Sequence, residues 1–240
     1  MEIPDNVTGT GGYLFEYCKA LESVFIGKNA TNIAGTFSGS SSLASITVDA
    51  ENKSYSSVDG VLFDKEKTLI IKYPASKPTI SYTISNTVLT VGQSCFGDSV
   101  FLESVIIPDN VTIIEHGAFS GSKSLYSVSI GKSVKCIEDY AFNRCTSLVS
   151  ITIPQNVLRI GYAAFVGCDS LKTVYIERSA AMGITEIWYY AFGGKVVGDY
   201  PNYSPNLSPE SIYVPNQESV TAYKNAKFAF EYKDRIKLKP

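Results

Sequence analysis

The stretch Ile107–Gly131, IPDNVTIIEHGAFSGSKSLYSVSIG, decides the fold, because the chain spells it out again almost at once. Ile107, Ile130, Ile153 and Ile176 stand 23 residues apart. Self-similarity of that length marks a stacked-coil solenoid, in which each unit is too small to hide its own apolar face and buries it against its neighbours. Within the unit, Val128 and Ile130 alternate with Ser127 and Ser129, the pattern of a short strand with one buried face and one face of small hydroxyls. Val134, Ile137, Ala141 and Phe142 recur as Val157, Ile160, Ala164 and Phe165, so a second apolar line runs up the opposite wall. Equivalent residues of stacked coils lie one strand spacing apart, ~4.8 Å. That spacing predicts an internal ladder of Phe96, Phe119, Phe142 and Phe165.

The run from Ile153 to Ile176, I-P-x-N-V-x-x-I-G-x-x-A-F-x-G-C-x-S-L-x-x-V-x-I, resembles the BspA-like leucine-rich repeat family. The resemblance covers nearly the whole chain, with clean copies from Ile84 to Ile176 and degraded copies on either side. It implies a leucine-rich repeat solenoid wound as a right-handed superhelix. Short parallel strands are expected on one face and short strands or 3-10 turns on the other. It also implies an extracellular surface protein of host-associated bacteria or parasitic protists. The activity attached to such proteins is adhesion to a protein or glycan of a host or neighbouring cell.

Around the clean copies the chain divides as follows. Residues 1–48 read as degenerate coils that keep Phe15, Cys18, Leu21, Val24, Ile26, Ile33, Phe37, Leu43, Ile46 and Val48 in register. Residues 49–79 hold a variant unit, a hairpin of Val61–Phe63 and Leu69–Tyr73 joined by the polar turn Asp64-Lys65-Glu66-Lys67. Regular coils span 80–192, a loop rich in Gly, Pro, Tyr and Asn spans 193–209, and 210–240 carry a last strand and a helix-bearing cap. In that cap Val220, Tyr223, Phe228 and Tyr232 are expected to cover the final coil. The whole of 1–240 reads as one leucine-rich repeat domain. Since Met1 is followed at once by repeat sequence, the chain is expected to be part of a longer protein whose cap and export signal lie upstream.

The 240 residues are 45% hydrophobic and 18% charged, with a net charge of −2. No run approaches the roughly 18 apolar residues of a membrane span. With no basic face to neutralise phosphates, nucleic acid and anionic membranes are poor partners.

Catalytic candidates are few. Cys18, Cys145 and Cys168 follow their ladder Phe by three residues, where other coils place Ser40, Ser99 and Ser122, so the slot calls for a small buried side chain. Thiols rather than disulfides are expected, and the absence of a CxxC spacing argues against zinc. His116 is the single histidine and falls in a variable turn slot beside no nucleophile. Glu138 and Asp139 read as solubilising charge. No catalytic, cofactor or metal residues are therefore assigned.

What remains is the outward strand face. Its candidate ligand-binding residues are Ser104, Ile106, Ser127, Ser129, Ser150, Thr152, Thr173, Tyr175 and Tyr213, together with Tyr200 and Tyr203 of the long loop. Small hydroxyls also suit the crowding of a curved, solvated sheet, so the strip reads either as an adaptable recognition floor or as an idle face of a structural spacer.

Overall fold

The computed structural model describes residues 1–9, 15–33, 37–183, 185–188, 190–193, 209–226 and 232–240. The chain winds into a β-solenoid of about nine turns with one helix near its C-terminal end. Its front wall opens with a parallel sheet of β1 (Glu2–Ile3), β2 (Ser23–Ile26) and β3 (Ser45–Val48). Further along the same wall stand β7 (Ser81–Thr83), β9 (Ser104–Ile106) and β11 (Ser127–Ser129). Beyond them come β13 (Ser150–Ile153), β15 (Thr173–Ile176), β17 (Ser211–Val214) and β18 (Ile236–Leu238). The back wall is one eight-stranded sheet. It begins with β4 (Tyr55–Val58), β5 (Val61–Asp64) and β6 (Leu69–Lys72). It continues through two-residue strands: β8 (Thr90–Val91), β10 (Ile113–Ile114), β12 (Cys136–Ile137), β14 (Arg159–Ile160) and β16 (Glu186–Ile187).

The repeat sets the register directly. Ser104 pairs with Ser127 and Val105 with Val128, and on the back wall Ile113 pairs with Cys136 and Ile114 with Ile137. Coils approach so closely that a Cβ on Gly131 would sit 2.1 Å from the Pro108 carbonyl oxygen, which explains the small residue there. Gly121 holds φ +76°, a left-handed conformation that Asp98 and Arg144 also take at the same position of the neighbouring coils, and a Cβ there would lie 2.2 Å from Asp98 Oδ1.

Between the walls the rings stack as the spacing requires. Centroids are 4.7 Å apart for Phe96–Phe119, 5.0 Å for Phe119–Phe142 and 5.2 Å for Phe142–Phe165, with planes within 10°. The ladder runs further than four rungs: Tyr73 continues it below Phe96 and Phe192 above Phe165. Tyr82 meets Tyr73 edge-on at one end, and Tyr232 meets Phe192 edge-on at the other. Each interior ring thus has apolar surface on both faces, the arrangement that removes most area from water.

The slot three residues after each ring is also explained. Ser122 Oγ donates to the Phe96 carbonyl, Cys145 Sγ to Phe119 and Cys168 Sγ to Phe142. The position selects a small buried donor, which Ser and Cys both supply. All five cysteines are thiols.

Several expectations need correction. The variant unit is a three-stranded meander, not a single hairpin: β4 pairs antiparallel with β5 through the two-residue turn Asp59-Gly60, both residues at positive φ. Its last strand, β6, then pairs parallel with β8 and so feeds the back wall. Strand Ser211–Val214 is not the last, because β18 adds to it in parallel beyond helix α1 (Gln217–Asn225). Ile130 is only half-buried, unlike Ile107, Ile153 and Ile176, and it lies where β11 has already ended. Val220, Tyr223 and Tyr232 are buried in the cap as expected, whereas Phe228 and most of the first coil's Gly-rich run lie outside the described residues.

Candidate functional site

Outward positions of the front wall form two columns. One runs Ser81, Ser104, Ser127 and, beyond the gap between β11 and β13, Ser150, Thr173 and Ser211. The other runs Thr83, Ile106, Ser129, then Thr152, Tyr175, Tyr213 and Lys237. Ser127, Ser129, Ser150 and Thr152 are exposed, and Ser104, Thr173, Tyr175 and Tyr213 are half-buried. Ile106 is 48% exposed on this otherwise polar floor. The nine described candidates therefore share one face, while Tyr200 and Tyr203 fall outside the described residues.

Three features of this face were missed in the sequence. Ser81 and Thr83 begin the hydroxyl columns, and the signal for them was present, since they stand 23 residues before Ser104 and Ile106. One residue before the strands, Ile80, Tyr126 and Val149 are exposed apolar side chains, with exposed Glu103 between the first two and Lys172 beyond the third. At the C-terminal end, Tyr175 and Tyr213 stack with centroids 5.3 Å apart, and β18 with the residue after it brings Lys237 and Lys239 to them. Lys237 Nζ donates to Ser211 Oγ at 2.8 Å, so Ser211, an outward position of the repeat, is buried under that side chain. Lys239 Nζ lies 5.9 Å from the centroid of the Tyr175 ring.

On the far side, the turns after the back strands carry a second row of rings. His116, Tyr140, Tyr162 and Tyr190 meet edge-on at 5.4, 5.5 and 5.9 Å. His116 is exposed, as its turn position predicted, but it is part of this row. Glu138 and Asp139 are half-buried and engaged, which corrects their reading as solvated charge. Arg159 pairs with both and lies under Trp188, and Asp139 Oδ1 accepts from the Tyr162 N–H at 2.8 Å. Carboxylates held this way stiffen a turn.

The buried titratable groups sit in walls rather than in a cleft. Lys72 Nζ donates to the carbonyls of Ser94 and Gly97, and burial pushes its pKa down while nearby Cys95 and Asp98 oppose that shift. Burial pushes the Cys95 and Cys168 thiols up, which leaves little thiolate to act as a nucleophile. Among the described residues, no group of three or more His, Cys, Asp and Glu is placed to hold a metal ion. No helix among them is long and apolar enough to cross a membrane.

The chain matches the family model of the BspA type leucine rich repeat region, in six copies over residues 1–82 and 72–196. Among curated proteins there is no match. Among solved structures it is similar to the pneumococcal vaccine antigen PcpA, with a TM-score of 0.69 and 20% identity over all of this chain and 67% of that one. It is also similar to a leucine rich cell surface protein from Faecalibacterium prausnitzii, with a TM-score of 0.65 and 26% identity over 78% of this chain. It spans 59% of that protein's chain. With the repeat matched over most of its length and its rungs stacked as the spacing demands, the chain belongs to the BspA-type leucine-rich repeat family.

Proposed function

We propose that this protein is a non-enzymatic recognition module of a cell surface, which binds a protein or glycan of a host or neighbouring cell through its front face. The carrying observation is the set of outward columns: exposed hydroxyls in consecutive registers, flanked by the exposed side chains of Ile80, Glu103, Tyr126 and Val149 and ended by the Tyr175–Tyr213 stack. Rigid amphipathic rings beside adaptable hydroxyls lose little entropy on binding and offer both apolar and hydrogen-bonding contact. Residues 193–209, whose Gly, Pro, Tyr and Asn content reads as a loop and most of which lie outside the described residues, are assigned to specificity, since loops on rigid scaffolds commonly carry recognition. A surface location is supported by the likeness to the Faecalibacterium cell surface protein.

The test is binding to a panel of glycans and matrix proteins, repeated with Tyr175→Ser and Tyr213→Ser. Each substitution is expected to weaken any true ligand about fivefold or more, as loss of a ring at the centre of an interface does. If no ligand binds, or if both substitutions leave binding unchanged, the competing reading of the solenoid as a structural spacer takes its place.

A further inference from the structure

The front face is uneven in charge, and that unevenness names a class of ligand. From β7 to β17 its outward strand positions carry no ionisable group apart from the two tyrosines, Tyr175 and Tyr213. At the last strand Lys237 stands directly beside Tyr213, and Lys239 lies over Tyr175. Neither ammonium has a carboxylate partner among the described residues. Lys172 and Arg235 flank them one residue before their strands, against the carboxylates Glu177 and Glu210. Neighbouring Lys233 and Asp234 cancel. The end of the face is therefore positive on a chain whose net charge is −2.

We propose that this end binds an acidic glycan, one bearing carboxylate or sulfate groups. The inference rests on the recognition role proposed above and adds the ligand's charge and class. Lys237 is steadied by its bond to Ser211 Oγ, and Lys239 is positioned over the Tyr175 ring, so two cations are held about a stacked aromatic pair. The rings offer flat apolar surface to the faces of sugar rings, the ammoniums make charge-assisted bonds to acidic groups, and the hydroxyl columns meet sugar hydroxyls along the chain. A peptide fits less well. Strands β13, β15 and β17 spend their backbone groups within the sheet, so the face itself offers side chains only; the open ladder at this end, the outer edge of β18, points along the stack and would extend the sheet rather than place a peptide on the Tyr175–Tyr213 floor.

The experiment titrates the full chain calorimetrically with three probes: a heparin-derived sulfated hexasaccharide, its desulfated and carboxyl-reduced counterpart, and poly-L-glutamate. The sulfated probe is expected to bind at least about tenfold tighter than the neutral one, with an advantage that shrinks as salt rises from about 0.05 to 0.3 M and screens the charges. The double variant Lys237→Gln/Lys239→Gln is expected to lose about tenfold for the sulfated probe and nothing for the neutral one, from two pairs of ordinary surface strength. Glu210→Gln should tighten the sulfated probe, and Lys19→Gln, in the first coil, should change nothing; melting curves confirm that each variant folds.

Equal binding of neutral and sulfated probes, with silent lysines, overturns the charge assignment, and if the Tyr175→Ser and Tyr213→Ser variants still weaken both probes the recognition face itself stands. Poly-L-glutamate binding as tightly as the sulfated sugar overturns the glycan class. Silence of every probe overturns the inference, and a parallel failure of the protein and glycan panel removes the recognition role beneath it.

Discussion

The first three coils and the array from Ile84 onward are built on one repeat, yet they form separate cores. Ile3, Val24, Ile26, Ile33, Phe37 and Ile46 pack with Tyr55 and Leu62 in one cluster. Val61, Phe63, Ile70 and the ladder with its apolar neighbours out to Ile236 form the other. The boundary passes through strand β5, whose side chains alternate: Val61 and Phe63 belong to the array and Leu62 to the first coils. The short coils contain one stacked pair among their described residues, Phe15–Phe37 at 5.6 Å, whereas the array carries six stacked rings closed at both ends. The array stays continuous even across the 27-residue step from Phe165 to Phe192, where the ring still stacks. The interior divides instead where the meander enters and β5 turns alternate side chains to either cluster.

That contrast can be broken at its strongest point first. Phe142→Ala removes a middle rung whose neighbours are pinned by their own coils, so it is expected to cost about 3–5 kcal/mol. Phe37→Ala, whose one stacked neighbour among the described residues is Phe15, should cost nearer about 3 kcal/mol. Amide hydrogen exchange locates each loss, because coils of a repeat array open in groups rather than all at once. Equal and local effects at the two sites would mean that the ladder adds nothing to ordinary burial.

Leu62→Ala tests the boundary. It is expected to cost about 2–4 kcal/mol, with faster exchange in strands β1 to β3 while the amides around Phe119 keep their protection. If the array loosens equally, the two cores act as one.

Smallest is the slot beneath the ladder. Cys145→Ser keeps a donor to the Phe119 carbonyl, as Ser122 does to Phe96, and should shift stability by only about 0.5 kcal/mol, whereas Cys145→Ala loses the bond and costs about 0.5–1.5 kcal/mol. A reversed order in urea denaturation would show that the slot selects size and not a donor.

What could be read from the residues was whatever the coils demand repeatedly. Phe96, Phe119, Phe142 and Phe165 announce themselves because each faces the same neighbours one rung apart, and Ser104 through Tyr175 follow from the same register. Less was legible where one part of the chain answers another out of step. Strand β4 depends on the Asp59-Gly60 turn, a local signal that lies ahead of Val61–Phe63 and owes nothing to the repeat. The edge-on row of His116, Tyr140, Tyr162 and Tyr190 alternates between two adjacent turn positions, so alignment by one position scatters it.

By itself the sequence determined the solenoid, its inner ladder and the polarity of its open face, because a period of 23 residues stacks every residue on its own counterpart. Only the tertiary structure decided where the interior divides and which groups end the face. Those depend on β5 serving two cores and on β18 returning past α1 to lay Lys237 beside Tyr213, contacts between unlike segments that no repeat encodes.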